Sequence, residues 1–491
     1  MKKIAYIFLS LAALCSSCSV LDRDPESFWG GGSFFTEEAH LWGTLYGGYD
    51  KMQDALGANY LVYGDVRADL FELNDPSKQT MEKALNNSLD INMSLAKWRT
   101  FYDIVKQANL VLYHTPILQE AGKVNATNAA NLIGQAYCMR AFAYFWIVRI
   151  WGDAPLILEP FQDAQDDFNQ TRTASADVLA SVHSDLENAA KNIPSTSTDR
   201  VTFTRTAAYA IQAQVYAWEH NWEQTVAFAD LVLKGTSTNP IGNAAYPLAK
   251  LYDASLNTAS SSFMTSDLLN TEYVQMFNKG QSKESIFELA YINADGDSNN
   301  SLFMYLSDTY PQLKPRTGFS DEYPLYDWRI YSNFYTSPSG KCMKFFIGYV
   351  KNNSERNIIF LRVSETALLK AEALLNQVPE PDFAEPESKC KAAMDLVNAI
   401  RTRAGGVNLE IDPIDYEDKT LDELKEIVAQ ERKLELAFEG HRYFDLVRTG
   451  KVFEVMEPIN GQNDPRSVVW PIHLDEIRDS NGLIEQNEYY K

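Results

Sequence analysis

The chain has few of the residues that most catalytic and metal sites require. Its 491 residues include 5 cysteines and 6 histidines, and the sequence contains no HExxH, GxSxG or P-loop pattern. Beyond residue 18 the cysteines are Cys138, Cys342 and Cys390. Three widely spaced cysteines give neither a disulfide framework nor metal-ligand spacing, so we expect buried free thiols. These absences argue against zinc, serine-nucleophile and nucleotide-driven chemistry.

Positive charge is also scarce. Lysine and arginine total 44 against 66 aspartates and glutamates, which gives a formal net charge of −22. Such a chain repels nucleic acid and anionic lipid headgroups, so we expect no nucleic-acid partner. It favours neutral or cationic ligands, unless a local basic pocket reverses the preference. The aromatic content of 12% suits stacking on sugar rings and equally suits the core of a helical protein.

The apolar run at the N-terminus is too short to cross a bilayer. It extends over Ile4–Leu14, which is 11 residues, and follows two lysines. This pattern is typical of a signal peptide, here residues 1–17. Small residues precede Cys18 and resemble a bacterial lipobox, which implies lipidation of Cys18; a plain secretory signal is the alternative. Residues 18–35 then serve as a polar tether.

Helical periodicity dominates the remainder, and we predict a mainly α fold. The predicted helices cover residues 37–52, 98–118, 131–151, 176–192, 204–220, 222–234, 365–376 and 388–403. Alanines at the expected crossings make several helix pairs resemble tetratricopeptide repeats, although their spacing is irregular. One globular body over 18–491 follows from this pattern. Its parts are a helical scaffold at 36–235 with an insertion at 59–75, a loop-rich region at 236–350 with a few short strands, and C-terminal helices at 351–491.

A helix near the C-terminus places two acids on its apolar face. Thr420 and Glu423 form a capping box that predicts its start, and Gly440 predicts its end. Between them Glu431 and Glu435 fall on the stripe that faces the core. They are either a catalytic carboxylate pair or members of a buried ion-pair lock. We favour the lock, with both acids kept ionised by the arginines that follow. The predicted structural ion-pair residues are Glu431, Glu435, Glu439, Arg442, Asp445 and Arg448.

The segment Glu431–Gly450, ERKLELAFEGHRYFDLVRTG, closely resembles the C-terminal signature of the SusD/RagB family. Two further blocks, within 134–156 and 362–405, resemble the family's other diagnostic motifs. The family consists of lipid-anchored, substrate-binding proteins on the outer surface of Bacteroidetes. The resemblance implies a SusD-like fold, an outer-membrane location exposed at the cell surface, and a SusC-like TonB-dependent transporter as partner.

The two irregular regions, 59–75 and 236–350, are where we expect a ligand. A carbohydrate offers apolar ring faces and hydroxyls, and both regions combine aromatic side chains with carboxylate, amide and guanidinium groups. The resemblance directs attention to such loops but transfers no individual residue, and ordinary packing stays an alternative for each. The candidate ligand contacts are Tyr63, Asp65, Arg67, Asp69, Tyr310, Trp328, Arg329 and Tyr331.

No cofactor is expected, apart from an alternative of structural calcium. The acidic run at 295–300 suggests calcium, but it lacks the terminal glutamate of an EF-hand loop. We therefore leave calcium as a minor alternative.

Four functions are compatible with these features. The favoured one is a surface lipoprotein that binds a glycan and delivers it to the transporter. The alternatives are an oligopeptide-binding member of the same family, a surface glycosidase using paired carboxylates, and a repeat scaffold that binds only protein. The missing catalytic motifs argue that the chain is not an enzyme.

Overall fold

The computed structural model describes most of the chain from residue 34 onward. The described ranges are 34–161, 170–236, 238–251, 270–291, 299–306, 311–334, 341–345, 356–379, 387–405 and 411–491. The signal peptide, Cys18, most of the tether, Tyr310 and most of the acidic run lie outside them. Predictions that concern those residues therefore stay predictions.

Seven α-helices of two or more turns lie in the described N-terminal part, and the predicted mainly α fold is confirmed. Side chains that cap helix starts explain several boundaries, because they accept hydrogen bonds from amides that lack a helical partner: Asn125 accepts from Asn128 at 2.9 Å, and Thr204 accepts from Ala207 at 3.1 Å. The helices are α1 Glu38–Leu56, α2 Gln79–Leu85, α3 Arg99–Glu120, α4 Ala126–Trp151, α5 Ser175–Asn192, α6 Arg205–Trp218 and α7 Trp222–Leu233.

Nine shorter or later helices complete the described helical part. They are α8 Glu272–Lys279, α9 Asn300–Leu306, α10 Arg329–Asn333, α11 Val363–Asn376, α12 Glu387–Ala404, α13 Leu421–Glu435, α14 Arg442–Arg448, α15 Val452–Asn460 and α16 Leu474–Asp479. No helix in the described ranges has both the length and the apolar character needed to cross a membrane.

The longer helices stack in an almost continuous series. Helix α3 packs on α1 and α4, α5 on α4 and α6, α7 on α6 and α11, and α11 on α12 and α13. The alanines predicted at the α6 crossings, such as Ala207 and Ala213, are fully buried and permit close approach. Each pair covers its apolar face only when the next pair is present, as in repeat scaffolds. Cys138, Cys342 and Cys390 are buried free thiols, as predicted.

Two small antiparallel sheets connect distant parts of the chain, in agreement with the few short strands that were predicted. Strand β2 Ser285–Leu289 pairs with β4 Ile358–Arg362. Strand β1 Phe71–Leu73 pairs with β3 Leu313–Pro315. This second sheet joins the 59–75 segment to the 236–350 region, so the two regions predicted to carry the ligand site are neighbours.

The segment 59–75 is not the exposed loop that its composition suggests. A helical turn, Asn59–Leu61, runs into a π-helix, Val62–Val66, and then into β1. Most of this segment is buried. Its backbone touches the C-terminal signature, because a Cβ atom on Gly64 would lie 1.9 Å from the carbonyl oxygen of Gly440. The prediction of an irregular, loop-like insertion is wrong because tertiary packing overrides the local loop signals.

Helix α13 begins with the predicted capping box but ends earlier than predicted. Both capping hydrogen bonds between Thr420 and Glu423 are present. The helix stops at Glu435, and the chain turns through residues 436–440 with φ of +70° at Phe438 and +82° at Gly440. The turn lets the Phe438 ring pack against other aromatic rings of the core. Gly440 is thus left-handed as predicted, but it ends the turn and not the helix.

Candidate functional site

The two acids on the apolar face of α13 lie in a buried cluster of ion pairs. The Glu435 carboxylate is bonded by Arg329 at 2.9 Å, by Arg362 at 2.6 Å and by Arg403. The Glu431 carboxylate is bonded by Arg329 at 2.6 Å. We call this the ion-pair cluster, and it also includes Glu439, Lys344, Glu284 and Asp327.

The arginines predicted to pair with Glu431 and Glu435 bond elsewhere. Arg442 bonds Asp69 at 2.8 Å, and Arg448 bonds Glu372 at 2.6 Å and Asp445 at 2.8 Å. This predicted pairing is wrong because α14 follows the 436–440 turn and packs beside the π-helix. The real partners come from three separate elements that are remote in the sequence.

The electrostatics of the cluster are those of a structural element. Burial acts to raise the pKa of Glu435, but its three arginine partners outweigh it and hold that pKa well below the usual range. Burial raises the pKa of Glu431, although Arg329 acts to lower it. Both side chains are buried. A general acid or base must contact its substrate, and neither group has an opening toward one.

Three predicted ligand residues of the 59–75 segment are buried and connect it to the C-terminal part by hydrogen bonds and ion pairs. Asp65 accepts the amides of Gly440 at 2.7 Å and Arg442 at 3.1 Å. Arg67 donates to the carbonyls of residues 467 and 468 at 2.8 and 2.9 Å. Asp69 pairs with Arg442 and, at 2.8 Å, with Lys433. All three side chains are buried, so their assignment as ligand contacts is wrong.

The pKa values of Asp65 and Asp69 are shifted in opposite directions. Burial raises the pKa of Asp65 to about 7, although the two amide donors act to lower it. Burial also acts to raise the pKa of Asp69, but Arg442 and Lys433 bring it well below its usual value. The two pKa values differ because Asp65 is stabilised mainly by backbone amide dipoles, whereas Asp69 is stabilised by the full positive charges of Arg442 and Lys433.

The candidate ligand residues of the loop-rich region differ in their exposure to solvent. Arg329 is fully buried in the ion-pair cluster, so its assignment as a ligand contact is wrong. Trp328 is half-buried, and its ring centroid lies 5.4 Å from that of Tyr331. Tyr331 is exposed and remains available to a ligand. Tyr310 lies outside the described residues.

A cavity of about 540 Å³ opens where the two predicted regions meet. We call it the polar cavity. Tyr63 is the candidate residue that contributes to its wall, and Tyr305 of α9 and Gln312 beside β3 come from the loop-rich region. The described residues that line it are Asp54, Ala55, Asn59, Tyr63, Ser77, Lys78, Gln79, Thr80, Met81, Ser94, Leu95, Lys97, Thr100, Tyr305 and Gln312.

The wall of the polar cavity combines aromatic rings with hydrogen-bonding groups. The Tyr63 hydroxyl donates to the carbonyl of Leu95 at 2.9 Å, and its ring packs edge-on against three core rings, which fixes its position. Amide and hydroxyl side chains such as Asn59, Gln312 and Thr100 supply donors and acceptors. The volume is in the range of pockets that enclose a small ligand. The arrangement therefore suits an uncharged molecule rich in hydroxyl groups.

Sequence reasoning missed most of this wall. Tyr305 belongs to the aromatic residues of the loop-rich region, but nothing local separates it from its neighbours. The decisive fact is the pairing of β1 with β3, which joins residues more than two hundred positions apart. In the described part of the chain, no group of three or more His, Cys, Asp or Glu side chains is arranged to hold a metal ion.

Comparison with known proteins identifies relatives over nearly the whole chain. A family model described as the SusD family matches residues 233–490, and a second, described as starch-binding associating with outer membrane, matches residues 21–217. A SusD-like protein of Formosa agariphila is 28% identical over 519 aligned residues, which cover 99% of this chain and 98% of the relative.

Solved structures share the fold. A SusD superfamily protein from Bacteroides thetaiotaomicron superposes with a TM-score of 0.73 at 20% identity, covering 93% of this chain and 99% of that one. A laminarin-binding SusD-like protein superposes with a TM-score of 0.71 at 20% identity, covering 93% of this chain and 100% of that one. At this identity the similarity establishes a common architecture.

Proposed function

We propose that this chain, which belongs to the SusD family, binds a glycan in the polar cavity and holds it without cleaving it. The observation that carries the proposal is the polar cavity itself. It lies where the 59–75 segment meets the loop-rich region, and the partly buried ring of Tyr305 lies in its wall among amides and hydroxyls, whereas the Tyr63 ring is 2% exposed and is held by core rings. A sugar ring presents an apolar face to an aromatic ring and hydroxyls to the polar groups around it.

The composition of the wall favours binding over hydrolysis. Glycosidases use a pair of carboxyl groups on either side of the scissile bond. Among the described lining residues Asp54 is the single carboxylate, and it pairs with Lys51 at 2.7 Å. Glu431 and Glu435 are enclosed in the ion-pair cluster. We therefore infer that the protein is not an enzyme and needs no cofactor.

The relatives support the cellular setting of the proposal. One matching family model is described as starch-binding associating with outer membrane, and one protein with the same fold is described as laminarin-binding. From these we propose that Cys18 carries a lipid that anchors the protein at the outer membrane, exposed at the cell surface. We further propose that a SusC-like TonB-dependent transporter receives the glycan from it.

Affinity electrophoresis tests the proposal directly. The mature protein is run in native gels with and without laminarin or soluble starch, and the polysaccharide is then assayed for new reducing ends. We expect retarded migration in at least one polysaccharide gel and no reducing ends. Release of reducing sugar would indicate a glycosidase. Unretarded migration together with binding of an oligopeptide mixture would favour the peptide-binding alternative.

A further inference from the structure

Residues 325–331 present a group of large apolar and aromatic side chains to solvent. Leu325 is 74% exposed, Tyr326 45% and Tyr331 37%, and the half-buried Trp328 packs against Tyr331 with the ring planes inclined at 52°. We call these four residues the aromatic platform. A group of this kind on a soluble surface indicates a binding site more often than an isolated exposed apolar residue does.

The segment that carries the aromatic platform is fixed to the protein interior by the ion-pair cluster. Asp327 and Arg329 alternate with the platform residues and are buried. Arg329 bonds Asp327 at 2.6 Å and also reaches Glu431 of α13. The amide of Trp328 donates to the carbonyl of Ala404 at 2.9 Å, which ties the same segment to α12. The rings therefore stand on a rigid base, and a ligand that stacks on them orders little further structure.

The backbone of Tyr326 is in an unfavourable conformation. Its φ of +71° is left-handed, which costs a residue other than glycine free energy. The Tyr326 ring gains little burial in return, since nearly half of its surface is exposed. A strained residue that displays an aromatic ring to solvent indicates a role outside folding.

We propose that the aromatic platform is a second carbohydrate-binding surface, on which sugar rings of a long glycan stack outside the polar cavity. This inference rests on the proposed function. None of the described residues 319–334 lines the polar cavity, so the two surfaces are distinct. The exposed residues Tyr326 and Tyr331 each combine an apolar ring face with a hydroxyl group, which suits a hydroxylated sugar ring.

The two surfaces together favour polymers over short oligosaccharides. The polar cavity, at about 540 Å³, has a volume suited to a small ligand, and we expect a polysaccharide to continue beyond it. A chain that reaches both surfaces binds the second one intramolecularly, which raises the apparent affinity without any change in the first contact. We expect a hexasaccharide seated in the cavity to gain less from the platform than a polymer does.

The test removes two rings and leaves the fold intact. In the Tyr326→Asn/Tyr331→Ala double variant, asparagine tolerates the left-handed backbone and alanine suits the short helix α10. Trp328 is retained because it also packs against the core. Tyr113→Ala is the matched control, since Tyr113 is similarly exposed but lies on α3. Equal thermal midpoints establish that the variants are folded.

Dissociation constants are measured for laminarin and soluble starch, and for laminarihexaose and maltohexaose. We expect the double variant to bind the polysaccharide at least about tenfold more weakly than the wild type does, with an unchanged constant for the hexasaccharide. The Tyr113→Ala variant should match the wild type. An unchanged constant for the polysaccharide, or an equal loss for the hexasaccharide, would overturn the second surface while leaving glycan binding intact. A wild type that binds neither polysaccharide would instead defeat the proposed function and this inference with it.

Discussion

Single residues in this protein depend on partners that are remote in the sequence. Glu435 is the clearest case, because guanidinium groups from α10, from the end of β4 and from α12 all donate to its carboxylate. Each of those cations is itself buried or nearly so. The desolvation of all four groups is offset only while the set is complete.

Replacement of Glu435 by glutamine should therefore destabilise the fold severely. Loss of the charge leaves three buried arginines short of a counter-ion, and removal of one partner from a buried pair typically costs about 3–5 kcal/mol. Urea denaturation followed by circular dichroism measures the change. Glu454→Gln is the control, because Glu454 forms an exposed pair with Lys451 on α15. If both variants unfold at the wild-type midpoint, the ion-pair cluster does not stabilise the protein.

Asp65 should make stability depend on pH in the direction opposite to most carboxylates. Aspartate titrates near pH 4 in an unfolded chain, and the pKa of Asp65 in the folded protein is about 7. Between these values the folded state keeps a proton that the unfolded state releases, so its contribution is present below about pH 4 and is lost as the pH rises through about 7. Relative to Asp65→Asn, the wild type should lose up to about 1.4 kcal/mol per pH unit over this range. Denaturation series at about pH 5 and about pH 7 measure that difference; parallel profiles for the two proteins would refute it.

At the level of helices and strands, the contact between the π-helix and the 436–440 turn joins the N-terminal and C-terminal parts of the protein. Gly64 and Gly440 meet backbone to backbone, and Asp65 accepts one amide of the turn, from Gly440, and one from Arg442 at the start of α14. The π-helix also presents Tyr63 to the polar cavity. This one element thus links the family signature to the wall of the candidate site.

A methyl group at residue 64 should disrupt that contact. The Cβ atom of Gly64→Ala would lie 1.9 Å from the Gly440 carbonyl oxygen, so the two backbones must separate. Overpacking of this kind typically costs about 1–3 kcal/mol. Gly43→Ala is the control, because Gly43 lies in α1 with nothing within 4 Å of the added atom. We expect a lower thermal midpoint for the first variant and an equal or higher one for the second; equal midpoints for both would show that the contact is not close.

Local patterns were sufficient to predict most of the longer elements. The apolar periodicity and the capping box placed α1, α3, α5 and α13 within a few residues of their observed starts. The same patterns failed for 59–75, where glycine and aspartate indicate a loop. Asp65 is buried because its acceptor groups meet amides 375 and 377 positions away, and no local signal reports such a contact. For the same reason the local sequence indicates Arg329 as a ligand contact and gives no signal that separates Tyr305 from its neighbours.

For the molecule as a whole, the stacked helices form a scaffold that supports two candidate binding surfaces. The short β1–β3 sheet sets one side of the polar cavity, and the ion-pair cluster supports the aromatic platform. Both surfaces come from the regions whose composition indicated ligand binding. We propose that the scaffold holds these irregular segments in place for ligand recognition.

Membrane attachment should depend on Cys18 alone. A lipidated cysteine anchors a protein because each buried methylene contributes about 0.8 kcal/mol. In a bacterial expression host with lipoprotein processing, the wild type should fractionate with membranes and incorporate labelled palmitate. The Cys18→Ser variant should do neither. Palmitate incorporation by the Cys18→Ser variant would show that the lipid is attached at another residue.

Calorimetric titration of Tyr305→Ala with laminarihexaose and maltohexaose measures whether a glycan binds in the polar cavity through its aromatic wall. Tyr305 is partly buried in that wall, so its removal should weaken binding of the recognised hexasaccharide by about tenfold, or about 1.4 kcal/mol, while Tyr305→Phe should bind nearly as well as the wild type. Wild-type affinity in a folded Tyr305→Ala variant would show that the Tyr305 ring does not contact the glycan and that the polar cavity is not its binding site.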